Sequence, residues 1–223
     1  MRVVGFIPSK LNSERLPRKN VLSLNGIYLV NYVLRTLNKV DFIEDIIIFA
    51  SEPSITEYIE KGLKYTFLKR PSYLDTNEAK VQDFINEFLK LDKADIIVLL
   101  HITSPFIKPQ TVSECAEKVI SGKYDCAFAA QKMHKFAWFK NKPLNYSLES
   151  PIPRTQDLEP VIFEQSGFYV FKRKVFEDTN QRLKSNAYVK YLDDFEGHDI
   201  DTFDDFKLAE LMLTMSIKKD NVS

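Results

Sequence analysis

A chain of 223 residues is long enough for one sizeable hydrophobic core and too short for two comfortable domains. Hydrophobic residues make up 44% and charged residues 28%, the balance of an ordinary globular protein. Lysine plus arginine equal aspartate plus glutamate at 31 each, which argues against a global basic field for nucleic acid and against an acidic solubilising tail. Function must therefore rest on local charge.

The first predicted element is a strand over Val3 to Ile7, ending at Pro8. No basic region leading into a long apolar stretch precedes it, and no segment approaches the ~18 consecutive apolar residues of a membrane span, so a cytoplasmic protein with no membrane partner is expected. Ile27 to Leu37 reads as a helix with Leu29, Val30, Val33, Leu34 and Leu37 on one face. Ile46 to Ala50 is the next strand, followed by a helical stretch from about Ser54 to Lys61 and a short strand from Tyr65 to Leu68. Val81, Phe84, Ile85, Phe88 and Leu89 recur at helical spacing; Ile96 to Leu100 is a strand, Val112 to Ile120 a helix and Cys126 to Ala130 a strand. Strands apolar on both faces and separated by helices predict a parallel α/β sheet covered on both sides. Cys115 and Cys126 have no CxxC or Cys/His cluster around them and read as packed, reduced thiols.

From Lys132 to Phe163 the pattern breaks into prolines, aromatics and basic residues without helical period, which reads as an arm on a single domain spanning 1–223. A strand resumes at Phe168 to Phe171. A final helix from about Asp204 to Leu213 is expected to bury Phe206, Leu208, Leu211 and Met212, followed by a frayed polar tail from Ile217 to Ser223.

Ligands of an open parallel sheet bind at the carboxyl ends of its strands, and four such ends are chemically loaded here. The loop after the first strand, Pro8 to Asn20, carries Lys10, Arg15, Arg18 and Lys19 among Ser9, Asn12 and Ser13, the mixture of cations and small hydrogen-bonding groups that a polyphosphate needs. It has neither the Walker A nor the GxGxxG glycines, and a plain solvated basic loop is the alternative. Leu99 to Pro105 ends a strand in His101, Thr103 and Ser104, which is also an ordinary strand exit. Pro153-Arg154-Thr155-Gln156 and Glu164-Gln165-Ser166-Gly167 form the third, with surface decoration and a bulge as their plain readings. In the fourth, Asp199 and Asp201 project to one face of an extended segment and suit Mg²⁺; the alternative is that Thr202 or Asp201 caps the following helix.

Together these stretches resemble the acylneuraminate cytidylyltransferase family, which includes CMP-sialic acid synthetase and, more distantly, CMP-Kdo synthetase. The carriers are Leu16-Pro17-Arg18-Lys19-Asn20, Arg70-Pro71, Leu99 to Pro105, Pro153-Arg154-Thr155-Gln156 and Asp199-Ile200-Asp201-Thr202, in order from about Val3 to Leu213. The resemblance implies a Rossmann-like nucleotide-diphospho-sugar transferase fold, and transfer of CMP from CTP to an acidic sugar with release of pyrophosphate. It implies Lys19, Arg15 and Lys10 as the triphosphate-handling catalytic cations. Ser9, Asn12, Ser13, Asn20, Arg70, Thr103 and Ser104 would hold the nucleotide. Arg154, Gln156, Gln165 and His101 would face the acid, and Asp199 and Asp201 would hold Mg²⁺. It also implies a homodimer, with the arm at about 132–163 crossing to the partner subunit.

Departures from the family pattern bear on substrate identity. Lys10 replaces an arginine, Leu11-Asn12 replace paired glycines, Glu14 replaces a frequent lysine and His101 replaces a glutamine. The aromatic stretch Lys135 to Phe139 replaces polar sugar contacts. A Kdo-like or phosphorylated acceptor, or a non-catalytic nucleotide-binding relative, are the competing readings.

Overall fold

A computed structural model of the protein describes residues 1–10, 16–76 and 78–220. The first strand, β1 (Val3–Ser9), is buried along its whole length. After the loop come a two-residue strand β2 (Ser23–Leu24), its hairpin partner β3 (Ile27–Tyr28) and helix α1 (Leu29–Leu37). Asn25 and Gly26 both adopt positive φ between β2 and β3, the conformation that an Asn-Gly turn supplies. Strand β4 (Asp45–Ala50), strand β5 (Thr66–Lys69), helix α2 (Val81–Leu91), strand β6 (Ile96–Leu100), helix α3 (Pro109–Ile120) and strand β7 (Cys126–Met133) follow. A second hairpin, β8 (Trp138–Phe139) and β9 (Lys142–Pro143), lies in the arm. The chain then forms β10 (Val161–Lys172), α4 (Arg173–Thr179), β11 (Ala187–Tyr191) and α5 (Phe203–Asp220).

Seven strands form one sheet in the order β11-β7-β10-β6-β1-β4-β5. β1 pairs in parallel with β4 and β6, β4 with β5, and β11 with β7, while β10 runs antiparallel between β6 and β7. The mostly parallel α/β sheet is thus present, with one reversed strand inside it. Pro8 lies in β1 beyond the last residue paired to β6, so it has a strand neighbour on one side only.

The two faces of the sheet bury separate clusters. Ile7, Ile48 and Val98 pack under α1 and α3 with Phe206 and Ala209 of α5. Phe6, Phe49, Leu99 and Tyr169 pack under Ile85 and Phe88 of α2 and Phe176 of α4, with the Phe6 and Phe88 rings stacked 4.3 Å apart. Each such buried side chain contributes roughly 1.5–3 kcal/mol relative to exposure.

Four expectations need correction. The stretch expected as a helix near Ser54 to Lys61 is a short 3-10 turn, Pro53–Tyr58, that buries Ile55 and packs Tyr58 against the core. α4 and β11 are additional elements that no apolar run announced. In α5, Phe206 and Ala209 face inward with Leu213 packed beside them, whereas Leu208 and Leu211 are exposed, because positions 206, 208 and 211 fall on different faces of a 3.6-residue helix. The helix also continues to Asp220 instead of fraying from Ile217; residues 204–220 contain no glycine or proline to stop it.

The arm grows from an extension of the sheet. β7 and β10 continue as a two-stranded ribbon, with Val161 opposite Met133 and Glu164 opposite Ala130. Beyond it Asn145 ties the arm together, donating to the carbonyls of Lys135 at 2.9 Å and Glu159 at 3.0 Å. Phe136, Trp138, Phe139, Leu144, Leu148 and Ile152 of the arm are exposed. No helix among the described residues is long and apolar enough to cross a membrane. Cys115 and Cys126 are buried and unpaired, as expected.

Candidate active site

The loop after β1 returns to the sheet edge through Leu16, which is buried, and Arg18, whose φ of 55° turns the chain into a 3-10 turn at Lys19–Val21. That turn drives Lys19 inward. Its Nζ donates to Asp201 Oδ1 at 2.8 Å, joining two segments 182 residues apart, with Lys19 buried and Asp201 half-exposed. Asn20 staples the two ends of the same loop: its Nδ2 donates to Ser9 Oγ at 2.9 Å and to the Lys10 carbonyl at 2.8 Å. Lys10 reaches the Asp75 carbonyl at 3.4 Å. Asn12, Ser13 and Arg15, together with Leu11 and Glu14, lie outside the described residues.

At the end of β5, Arg70 is 2% exposed, packs 5.0 Å from the Phe84 ring centroid and pairs with Asp75, yet its Nε is buried without a partner. At the end of β6, His101 keeps a partly exposed edge while its Nε2 is buried, also without a partner. Among the described residues these are the two buried side-chain polar atoms left unpaired, and both belong to positions that the sequence had singled out. Burial, reinforced by the charges of Arg182 and Lys19, lowers the His101 pKa to about 4, so the ring is neutral at pH 7.

Beside His101 a second cluster is fully tied. Gln165 donates from Nε2 to Ser104 Oγ at 2.7 Å and accepts from the Gly167 amide at 2.9 Å. Ser104 Oγ in turn donates to Asp199 Oδ1 at 3.0 Å, and Ser166 Oγ to Asp199 Oδ2 at 3.4 Å. Thr103 contributes its carbonyl, which accepts from the Ile200 amide at 2.8 Å. Gly167 is required here: a Cβ would stand 1.8 Å from Ser104 Oγ. The bulge expected at this glycine is present as a register shift between Glu164 and Tyr169.

The helix-cap alternative falls to Thr202. Thr202 caps α5, its Oγ1 accepting from the Asp205 amide at 3.2 Å while Asp205 Oδ2 accepts from the Thr202 amide at 2.7 Å, a capping box. That leaves the Asp199 and Asp201 carboxylates facing the sheet edge. Burial raises the Asp199 carboxyl pKa against the opposing hydrogen bonds from Thr103 and Ser104. Two positioned carboxylates, one of them paired with Lys19, fit a hard cation that takes its remaining ligands from phosphate or water. A groove of about 570 Å³ opens alongside, lined among others by Gln131, Gln165, Ser166, Asp199, Leu208 and Met212.

Two predicted contacts are not brought to this edge within one chain. Arg154 and Gln156 are exposed in the arm's 3-10 turn, and Arg154 grips Asp157 through Nε at 2.7 Å and Nη2 at 3.2 Å. Conversely, Arg182 joins Tyr169 and Glu164 in a charged cluster that the motif at Glu164 did not announce, and the pairing of β10 with β6 sets it on the same side of the sheet as His101.

Known proteins resemble this chain over most of its length. The family model described as Cytidylyltransferase matches residues 4–196. N-acylneuraminate cytidylyltransferase B of Danio rerio is 25% identical over 214 residues, covering 92% of this chain and 50% of the fish protein, so the chain spans about half the length of such relatives. The pseudaminic acid cytidylyltransferase of Campylobacter jejuni subsp. jejuni serotype O:2 is 23% identical over 223 residues, 95% of this chain and 96% of that one. The solved structure of CMP:2-keto-3-deoxy-manno-octonic acid synthetase complexed with CTP shares the fold at a TM-score of 0.70 and 16% identity, covering 97% of this chain and 100% of that one. The match over residues 4–196 shows that the chain belongs to the cytidylyltransferase family.

Proposed function

We propose that this protein transfers a cytidylyl group from CTP to an acidic sugar of the nonulosonic type, releasing pyrophosphate, as a step toward a surface glycan. The observation that carries the reading is the Lys19–Asp201 pair, which brings the basic loop and the acidic motif to one point at the carboxyl ends of the strands. The names of the N-acylneuraminate and pseudaminic acid relatives support an acidic sugar as acceptor.

In this reading the acceptor's hydroxyl attacks the α-phosphorus in line, and pyrophosphate leaves. Lys19 neutralises charge that develops on the phosphates, a task that Lys10 and Arg15 of the same loop would share. Ser9 and Asn20 hold the loop in shape, and Thr103, Ser104 and Arg70 border the nucleotide. Asp199 and Asp201 would hold Mg²⁺, which supplies charge neutralisation at the phosphates when bound. Gln165 and His101 border the acceptor. Most of the rate gain comes from positioning and electrostatics.

The arm completes the assembly as we read it. Its exposed aromatic residues pack on a second copy in a homodimer, and Arg154 and Gln156 thereby reach the outer groups of the partner's sugar. A cytoplasmic location fits two buried thiols that form no disulfide. Pyrophosphate release that requires both CTP and a sugar acid tests the proposal.

A further inference from the structure

Arg182 lies in the polar stretch at 180–186 between α4 and β11. Its guanidinium carbon stands 3.7 Å from the ring centroid of Tyr169, and its Nη2 donates to the Tyr169 hydroxyl at 3.0 Å. That hydroxyl donates in turn to Glu164, whose carboxylate stays 3.8 Å from Arg182, beyond direct hydrogen-bond reach. Register then locates this cluster. Tyr169 is opposite Leu99, Phe168 is opposite Leu100, and the pairing runs one step further because the His101 amide donates to the Gly167 carbonyl at 2.8 Å. Side chains two apart on a strand share a face, so His101 emerges on the same side of the sheet as Leu99 and Tyr169.

The imidazole and the Arg182–Tyr169 stack therefore share one face of the sheet. Lys19 is committed to Asp201. Arg182 is only loosely countered, and its planar fork has donors to spare. His101 keeps a buried Nε2 without a partner, a group that native structures normally satisfy.

We infer that Arg182 and His101 together receive the carboxylate of the acceptor, Arg182 being the residue that distinguishes an acid from an uncharged sugar. The inference rests on the proposed cytidylyl transfer. A carboxylate fits better than a phosphate, because the β1 loop and Lys19 already gather the phosphate-type cations, and because a guanidinium matches a carboxylate through two parallel bonds. Arg154, the expected clamp, has that geometry already filled by Asp157 and is exposed.

The test uses CTP with N-acetylneuraminate and pseudaminate as probes, and the methyl ester of whichever acid the wild type turns over faster. Arg182→Ala should raise KM for the acid by about tenfold to hundredfold, with Arg182→Lys intermediate. KM for CTP should stay within about twofold, as a charged contact made only to the acid requires. The methyl ester, lacking the charge, should show the same KM in wild type and both variants. An unchanged acid KM overturns the inference, and so does a CTP KM that rises in step with it, since that would place a phosphate at Arg182. Because Arg182 stacks on Tyr169, thermal melts accompany each variant, and Arg182→Lys and Arg182→Gln carry the test if the alanine variant fails to fold. Calorimetric CTP binding by the wild type separates the two levels. No CTP binding, or turnover of an uncharged sugar in place of an acid, sinks the underlying reading, whereas CTP binding with acid turnover whose KM is unchanged in the Arg182 variants overturns the role of Arg182 alone.

Discussion

At the carboxyl edge of the sheet, Lys19, Arg70, Ser104 and Gln165 are polar side chains buried as deeply as the core, whereas in the arm Trp138, Phe139, Leu148 and Ile152 are apolar side chains left on the surface. Both regions invert the usual partition of residues, and such inversions carry information that an exposed lysine or a buried valine does not. Polar groups held inside by Gln165 to Ser104 to Asp199 bonds are positioned before any ligand arrives. Apolar groups held outside on an arm tied by Asn145 are, in the proposed reading, a contact surface for a second copy of the chain. The first region suits chemistry, the second assembly, and the two should fail in different ways.

The largest effect is expected at Asp199. Asp199→Asn should abolish turnover or sharply raise the Mg²⁺ requirement, because a neutral amide is a poor ligand for a hard cation. The same substitution should raise the melting temperature. The Asp199 carboxyl is held above its ordinary pKa by burial, so the folded state binds the proton more tightly than the unfolded chain, and stability falls as pH rises from the ordinary carboxylate range through the folded value. The gain from asparagine should accordingly widen as pH rises through that window and then hold. Loss of activity together with a lower melting temperature would mean that Asp199 supports the fold instead.

A smaller effect belongs to His101. Its folded pKa of about 4 lies below the ordinary 6.5, so the unfolded chain takes up the proton first, and wild-type stability should decline as pH falls from 6.5 toward 4. His101→Gln cannot titrate and should flatten that limb in denaturant melts collected across the window. Parallel curves for the two proteins would show that the buried ring does not set the acid limb.

In the arm, the same logic predicts almost nothing for the isolated fold. Trp138→Ala with Phe139→Ser should convert a dimer to a monomer in analytical ultracentrifugation while shifting the melting temperature by only about 2 °C or less, as substitutions of exposed side chains do. A wild type that sediments as a monomer would contradict the assembly role, and a large drop in melting temperature would make these side chains part of the protomer's own packing.

The two regions also differed in how far the residue order alone exposed them. β1, β4 and β6 were readable because parallel strands buried on both faces must be apolar throughout, and α1 because its five apolar residues all face one way. β11 escaped because it is an edge strand of mixed exposure after a polar loop, and α4 because seven residues give too few turns for a period to emerge. At the site, Lys19, Asp199 and Asp201 were legible as local motifs. That Thr202 and not Asp201 caps α5 depends on the side chain of Asp205 closing the box, which the residue order leaves open. Arg182 left no local signal, since its meaning depends on the register of β10 against β6, a long-range fact.

The most direct test of the account is pyrophosphate release from CTP, measured with N-acetylneuraminate, pseudaminate and 2-keto-3-deoxy-manno-octonic acid for the wild type and for Lys19→Ala. Release should require both CTP and one of the acids. It should fall by about 10²–10³-fold in the variant, the cost of removing one donor from a developing phosphate charge, while the variant's melting temperature stays close to that of the wild type. Release that is independent of the acid, or a Lys19→Ala protein that keeps wild-type kcat, would contradict the assignment of this sheet edge to cytidylyl transfer.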